Sequence, residues 1–401
     1  MSTQAQWTWL VYMAGDNNLQ SAGGADLAEM KRVGSTADVN VIVQFDTEAN
    51  KTTRYRVEKN KLKVLQQMPG VNCGDPKVLT NFLKWGIKTF PATHYLVDVW
   101  NHGGGWENLP AGYDYNGIRS LKPTEAHRRL RLRRALFKTT IKAIHKRPPE
   151  ARAIAIDCGS HDYLDNQELR KAVAAAMPGG KKFDVLACDA CLMNMLEIAY
   201  EMKDTATIMV GSEETEPGDG WPYAAILKAL AAKPSTAPAD LAKLVVSEYG
   251  KYFTKAHTPA TQSALALDRI GTIASAVNAL ATALLADIHT VAGTVTLARD
   301  RAQKYEMPEY VDLGDFAAQL AQRLPHNAAV QSAAAAVASA VNTASPSAFV
   351  MASTSVGANL ARSRGVSIYF PHAEDYSPDY SDLRFSQQGQ WKKLLEAIFT
   401  A

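Results

Sequence analysis

The sequence predicts an α/β protein: a mostly parallel sheet flanked by helices, with a smaller, mainly helical C-terminal region. Three observations carry this. Short apolar runs alternate with amphipathic stretches from residue 9 to residue 210, as strands do when crossover helices join them. Several of those runs end directly in glycine or polar loops, so chemistry-bearing residues gather at strand ends. After Trp221 the texture changes to alanine-rich helical stretches. A soft boundary therefore falls near residue 235, separating 1–235 from 236–401.

Trp9–Met13 reads as the first strand, and Gly15-Asp16-Asn17-Asn18 after it is turn chemistry. Leu19–Val33 is a predicted helix with Leu27, Met30 and Val33 on one face. Val39–Phe45 is a second buried strand, and Arg54–Val57 with Lys61–Leu65 flank a hairpin turn at Glu58-Lys59-Asn60. Lys77–Thr89 is a helix that Pro91 stops. His94–Trp100 is a strand that runs into Asn101-His102-Gly103-Gly104-Gly105-Trp106. Trp106–Ile118 is a loop, and Thr124–Lys146 a helix ended by Pro148-Pro149. Ala153–Ile156 is a short strand and Asp165–Ala176 a helix. Phe183–Ala187 is too short for a self-burying helix and reads as a buried strand. It ends in Cys188-Asp189-Ala190-Cys191, and Leu192, Met195, Leu196 and Ala199 then recur at helical spacing. Thr207–Val210 is a strand feeding the polar loop 211–221. Beyond it, Ala224–Ala232, Ala239–Tyr252, Thr272–Leu297 and Ala328–Thr343 are helical, with strands at Ser263–Asp268 and Gly365–Phe370.

The chain has 401 residues, 47% of them hydrophobic and 21% charged, the composition of a water-soluble fold. No apolar run reaches membrane-spanning length. Residues 1–13 lack a basic start and a small-residue cleavage site, so a signal peptide is not expected and a cytoplasmic location is, with secretion or the periplasm as the alternative. Four cysteines are too few for a disulfide framework at this size. The net charge of +3 conceals an asymmetry. Residues 119–152 hold 12 Lys and Arg against Glu125 and Glu150, a net +10, and the remainder carries −7. Such a contrast suits an internal partner as well as an external one.

His102 and Cys191 each follow the carboxyl end of a buried strand, where open α/β sheets bind ligands. Neighbouring strands would bring them to one edge. A cysteine nucleophile needs a base and a donor pair for the oxyanion. His102 supplies the base, the Gly103 and Cys191 N–H groups are the natural donors, and a helix N-terminus at Cys191 would favour thiolate. Cys188 and Cys191 also form C-x-x-C, but a zinc site lacks two more ligands at matching spacing, and a redox unit lacks its usual place after a first strand. Cys188 and Cys158 read as core residues.

The motifs WLVYMAGDNNL at 9–19, NHGGGW at 101–106, DACLMNMLEIAY at 189–200, GSEETEPGDGWPY at 211–223 and GVSIYFP at 365–371 span nearly the whole chain. In these motifs the sequence resembles the clostripain family of cysteine peptidases, relatives of the caspases. The resemblance implies a caspase-like sheet, His102 as general base, Cys191 as nucleophile, and cleavage after Arg or Lys. A basic P1 side chain needs acid in its pocket, and Asp189 and Asp219 are the candidates. The bland readings are a helix N-cap for Asp189 and a solvated loop acid for Asp219. Family members are often cut between histidine and cysteine, which makes Arg119 and Lys122 candidate self-cleavage sites. A helix that is never cut is the alternative reading of that segment. Some relatives depend on calcium, but loop 213–219 has no spaced calcium signature, so no cofactor is required and calcium stays open. The expected partner is a peptide with basic P1, with no nucleic acid or membrane, and the chain is expected to be a monomer. The rival reading is a non-catalytic, caspase-like module whose basic segment holds an acidic protein or nucleic acid. Against it, only Phe137 interleaves that segment with an aromatic ring.

Overall fold

The computed structural model describes residues 4–49, 51–106 and 154–401. Loop 107–118, the helix predicted over 124–146, Arg119, Lys122 and the rest of the basic segment lie outside the described residues.

The strands in chain order are β1 (Ala5–Gly15), β2 (Val39–Thr47), β3 (Lys51–Glu58), β4 (Lys61–Pro69), β5 (Ala92–Trp100), β6 (Ile154–Asp157), β7 (Asp162–Leu164), β8 (Phe183–Asp189), β9 (Ala206–Gly211), β10 (Ala260–Ala266), β11 (Tyr310–Asp312), β12 (Val350–Val356) and β13 (Ser367–Tyr369). Nine of them form one sheet in the order β12-β10-β9-β8-β5-β1-β2-β3-β4. The central five are parallel, and two antiparallel strands extend each side. The mostly parallel, helix-flanked sheet is as the sequence predicts. Alternation along β1 divides the core: Trp9, Val11 and Met13 bury into one face, and Leu10, Tyr12 and Ala14 into the other. Helices Gln20–Val33, Tyr223–Ala232 and Pro238–Lys255 cover the first face. Helices Pro76–Thr89, Asn166–Ala176 and Ile270–Ala286 cover the second.

Local chemistry sets several boundaries. Asp75 caps the second helix by accepting from the Lys77 N–H, with Pro76 in the first turn. Asp165 and Glu168 form a reciprocal capping box, worth about 1 kcal/mol. The β3–β4 hairpin turns at Asn60, which takes the left-handed conformation open to asparagine (φ 61).

The structure departs from the sequence reading in six places. The segment after Cys191 does not enter a helix at once; that helix is Leu196–Met202. Leu192 takes φ 63, and the N–H groups of Leu192 and Asn194 donate to the carbonyls of Glu214 and Ser212. Partners outside the segment thus override its helical spacing. The strand at 154 pairs with β7 and not with the main sheet, because β8 already fills the flank of β5. The strand near 367 pairs with β11 instead. The stretch 272–297 is two helices, Ile270–Ala286 and Ile288–Arg301, broken at Asp287. The C-terminal region also contributes β10 and β12 to the main sheet, so it is less purely helical than its alanine content suggests. Finally, Leu267–Ala286 is long and apolar enough to cross a membrane by length and composition, with mean hydropathy 1.4. Its face of Ile273, Val277, Leu280 and Leu284 is packed in the core, as in a buried helix of a globular fold.

Candidate active site

Three adjacent strands, β8, β5 and β1, deliver the site from their carboxyl ends. β1 pairs with β2 on one flank and with β5 on the other, so the chain reverses its winding there. Such switch points open a crevice at the carboxyl edge. β1 ends in Asn17 and Asn18, β5 in Asn101, His102 and Gly103, and β8 in Asp189 followed by Cys191.

Two asparagines tie these ends together. The Asn17 side chain donates to the carbonyls of Ala14 (2.9 Å) and Ile156 (2.8 Å). Asn101 donates to the Ala14 carbonyl and accepts the N–H groups of His102 (2.6 Å) and Ile156 (3.1 Å). The loop from β5 is thereby fixed to β1 and β6.

His102 is fully buried, and its Nε2–H donates to Asn18 Oδ1 at 2.7 Å. That bond leaves the Nδ1 lone pair as the basic position. This partner of the imidazole was not foreseen from the sequence. The signal was the asparagine pair at the end of β1, read there only as turn chemistry. Burial pushes the His102 pKa down to about 3, so the ring is neutral. Gly103 lies against the Cys191 backbone: a Cβ there would come within 2.3 Å of the Cys191 carbonyl oxygen.

Cys191 is 1% exposed, and its Sγ accepts the Glu216 N–H at 3.1 Å. Burial, and then the nearby Glu216 carboxyl, push its thiol pKa up. The expectation of a thiolate favoured by a helix N-terminus is therefore corrected. The helix begins five residues later, and loop 212–216 covers the sulfur. In this arrangement both groups rest uncharged, one a thiol and the other a neutral imidazole. Cys188 is a buried strand residue, Cys158 packs in the core, and all four cysteines are free thiols.

Beside the sulfur is a cavity of about 10 Å³, lined by Asp26, Asp189, Cys191 and Glu216 among others. That is room for about one water molecule. Asp189 accepts from the Tyr223 hydroxyl (2.8 Å) and the Trp221 N–H (3.4 Å). It caps no helix, since the next one starts at Leu196. Tyr223 also reaches Asp98 (3.0 Å), which accepts from the Trp9 indole (3.2 Å) as well. Asp219 is half-buried and accepts from the Tyr252 hydroxyl at 3.3 Å, and it does not line the cavity. The sequence reading passed over Asp26 and Glu216, which do.

The rest of the acidic loop is held by protein donors. Glu213 accepts from the Tyr305 hydroxyl (3.0 Å) and the Gly365 N–H (2.7 Å), and Tyr305 also reaches Asp312 (2.9 Å). Glu214 accepts from the N–H groups of Thr215 and Glu306. Among the described residues one trio could hold a metal ion: Asp46, Cys73 and Asp157, with ligand atoms within 4.8 Å of one another. Thr52, the Cys73 N–H and the Ser160 N–H already bond those carboxylates.

With this geometry in place, comparison with known proteins decides the lineage. The model of the clostripain family matches residues 11–118 and 142–397. The chain belongs to the clostripain family of cysteine peptidases. Clostripain of Hathewaya histolytica is 24% identical over 249 residues, 54% of this chain and 40% of that protein's length. A secreted C11 cysteine protease from Bacteroides thetaiotaomicron, solved with an irreversible peptide inhibitor, superposes with a TM-score of 0.63 at 18% identity, covering 99% of this chain and 100% of that one. An inactive zymogen C11 protease from Parabacteroides distasonis superposes with a TM-score of 0.65 at 19% identity, covering 96% and 98%. These structures share the fold of the present clostripain-family chain. The expected cytoplasmic location finds no support among them.

The buried acids of this clostripain-family site make stability depend on pH. Burial raises Glu197 to about 7 and Glu213 to about 8, and Asp312 to about 7. A carboxyl whose folded pKa is raised favours the fold in its protonated form, so that stability is lost as pH rises toward the folded value. His102, with its lowered pKa, acts oppositely and only below its ordinary value of 6.5. Above about pH 6.5 the carboxyls act alone. The melting temperature is expected to fall from pH 6.5 to pH 8.5, and less steeply in Glu213→Gln. A flat or rising curve would contradict these assignments.

Proposed function

We propose that this chain is a cysteine endopeptidase that cleaves after Arg or Lys. The observation that supports this reading is that His102, oriented by Asn18, and Cys191, whose backbone lies against Gly103, follow the carboxyl ends of adjacent strands. His102 Nδ1 takes the thiol proton as Cys191 Sγ attacks the scissile carbonyl carbon. The oxyanion accepts from the Gly103 and Cys191 N–H groups. The C–N bond then breaks, and the imidazolium returns the proton to the leaving amine. Water hydrolyses the thioester by the same base. A neutral pair suits this order, because proton transfer accompanies attack and no preformed ion pair is needed.

Asp189, beside the sulfur, supports a basic P1 preference, and Asp219 adds a carboxylate on the loop leaving β9. The step needs no metal in this reading, so EGTA leaves turnover unchanged unless calcium holds a loop in place. We also propose an extracytoplasmic location, as in the secreted relative, and a monomeric state.

The test is hydrolysis of paired fluorogenic peptides carrying P1 Arg, Lys, Ala or Asp. Wild type is expected to cleave only the basic pair, Cys191→Ala none, and Asn18→Ala on the order of a hundredfold more slowly, within the range for a displaced general base. Equal turnover of P1 Ala would overturn the specificity. No turnover at all in folded protein, before or after a trace of trypsin, would favour the non-catalytic module.

Self-processing at Arg119 or Lys122 is a second proposal. Intact mass should show two fragments for the wild type and one chain for Cys191→Ala. The same pattern in both would contradict it.

A further inference from the structure

The P1 pocket holds more acid than one cation requires. Glu216 is 3% exposed, lines the same cavity as Asp189, and shares Trp221 with it: the Trp221 backbone N–H reaches Asp189 and the indole N–H reaches Glu216. Two ionised carboxylates sharing one dry cavity repel, so one proton held between them is the arrangement that burial favours. The contacts of Glu216 agree. Its Oε1 accepts the Trp221 indole N–H at 3.5 Å, while its Oε2 is buried and receives no N–H or O–H, as expected of an oxygen that itself carries the proton. Asp189 takes the acceptor's role, with donors from Tyr223 and Trp221. Among the described residues no Lys or Arg pairs with Asp98, Asp189 or Glu216. The pocket therefore has two carboxyls and a proton where a basic side chain would place its charge.

We propose that Glu216 is a specificity-determining residue that recognises the P1 cation together with Asp189, the proton they share leaving as the cation enters. This rests on the basic-P1 reading above. The exchange balances. The empty pair with one proton carries −1, and the occupied pair with one guanidinium and no proton carries −1. Burial tolerates the replacement because no net charge is added to the pocket. A planar guanidinium can bridge two carboxylates, whereas an ammonium meets them as a point charge, so Arg is favoured over Lys. The cavity is narrow, so the side chain displaces its lining at Pro217, Gly218 and Gly220 as it enters.

Other ionisable groups face the pair. Asp98 lies on β5, Asp26 on helix Gln20–Val33, Tyr223 and Tyr249 on the other two helices of that face, and Cys188, Cys191 and Glu214 on the flanking segments. All are acids, so none can replace the cation. Raising the pH helps the shared proton leave, and affinity for the basic side chain rises with pH.

The experiment has two arms. Titration calorimetry of a P1-Arg peptide into Cys191→Ala, in buffers of different ionisation enthalpy at pH 7, should show about one proton released, and a P1-citrulline peptide about none. In the catalytic arm, Glu216→Gln should lower kcat/KM for P1 Arg by roughly ten- to a hundredfold, the size of one lost charge-assisted contact, and change P1 citrulline by no more than about threefold. The first arm does not depend on Glu216→Gln folding. Wild type that cleaves after Arg, with no proton release and an unchanged Arg-to-citrulline ratio in Glu216→Gln, would leave Asp189 acting alone and overturn the pairing. Wild type with no preference for Arg would overturn the P1 reading itself, and the pairing with it.

Discussion

Where β5 and β8 end side by side, the backbone of Gly103 presses on that of Cys191 with no space for a Cβ. Everything chemical in the structure depends on that contact. It brings the loop bearing His102 and the loop bearing Cys191 to one point, from strands fixed by continuous parallel pairing. A side chain at 103 would force the two loops apart. Misplacement of a reacting pair by about 1 Å is enough to cost two orders of magnitude in rate. The asparagines hold the other direction, tying His102 and its neighbour to the end of β1.

The second constraint is dryness. His102, Cys191, Asp189 and Glu216 are all nearly excluded from solvent. Burial disfavours every charged form, and it moves the imidazole and the thiol in opposite senses, down and up. The same effect keeps the acids beside them protonated or sharing protons. The imidazole and the thiol rest uncharged, and the Glu216 backbone closes over the sulfur. Loop 212–216 covers the sulfur and also carries Glu216 to the cavity, so one segment governs both access and charge there.

Much of this was legible in the sequence, for physical reasons. The parallel strands are apolar runs bounded by turn residues; β2, β5, β8 and β9 were recovered near their true limits, and β1 only over its centre, Trp9–Met13 of Ala5–Gly15. The gathering of His102 and Cys191 followed from strand ends. What failed was local inference where tertiary contacts prevail. Leu192–Met195 has helical spacing, yet β13 and loop 212–216 draw it into extended pairing. β12, with its small polar residues, carries little apolar signal because it is a half-buried edge. Asn18 and Glu216 were overlooked for a related reason. An asparagine in a turn and a glutamate in an acidic loop look ordinary until the fold sets one against an imidazole and the other against a carboxylate.

The most direct measurement is labelling with a P1-Arg peptidyl chloromethyl ketone, read by intact mass and peptide mapping. The account predicts a single adduct on Cys191, with Cys73, Cys158 and Cys188 untouched, and no adduct in His102→Ala. An adduct on Cys188, or labelling of Cys191 that proceeds equally well without His102, would contradict it.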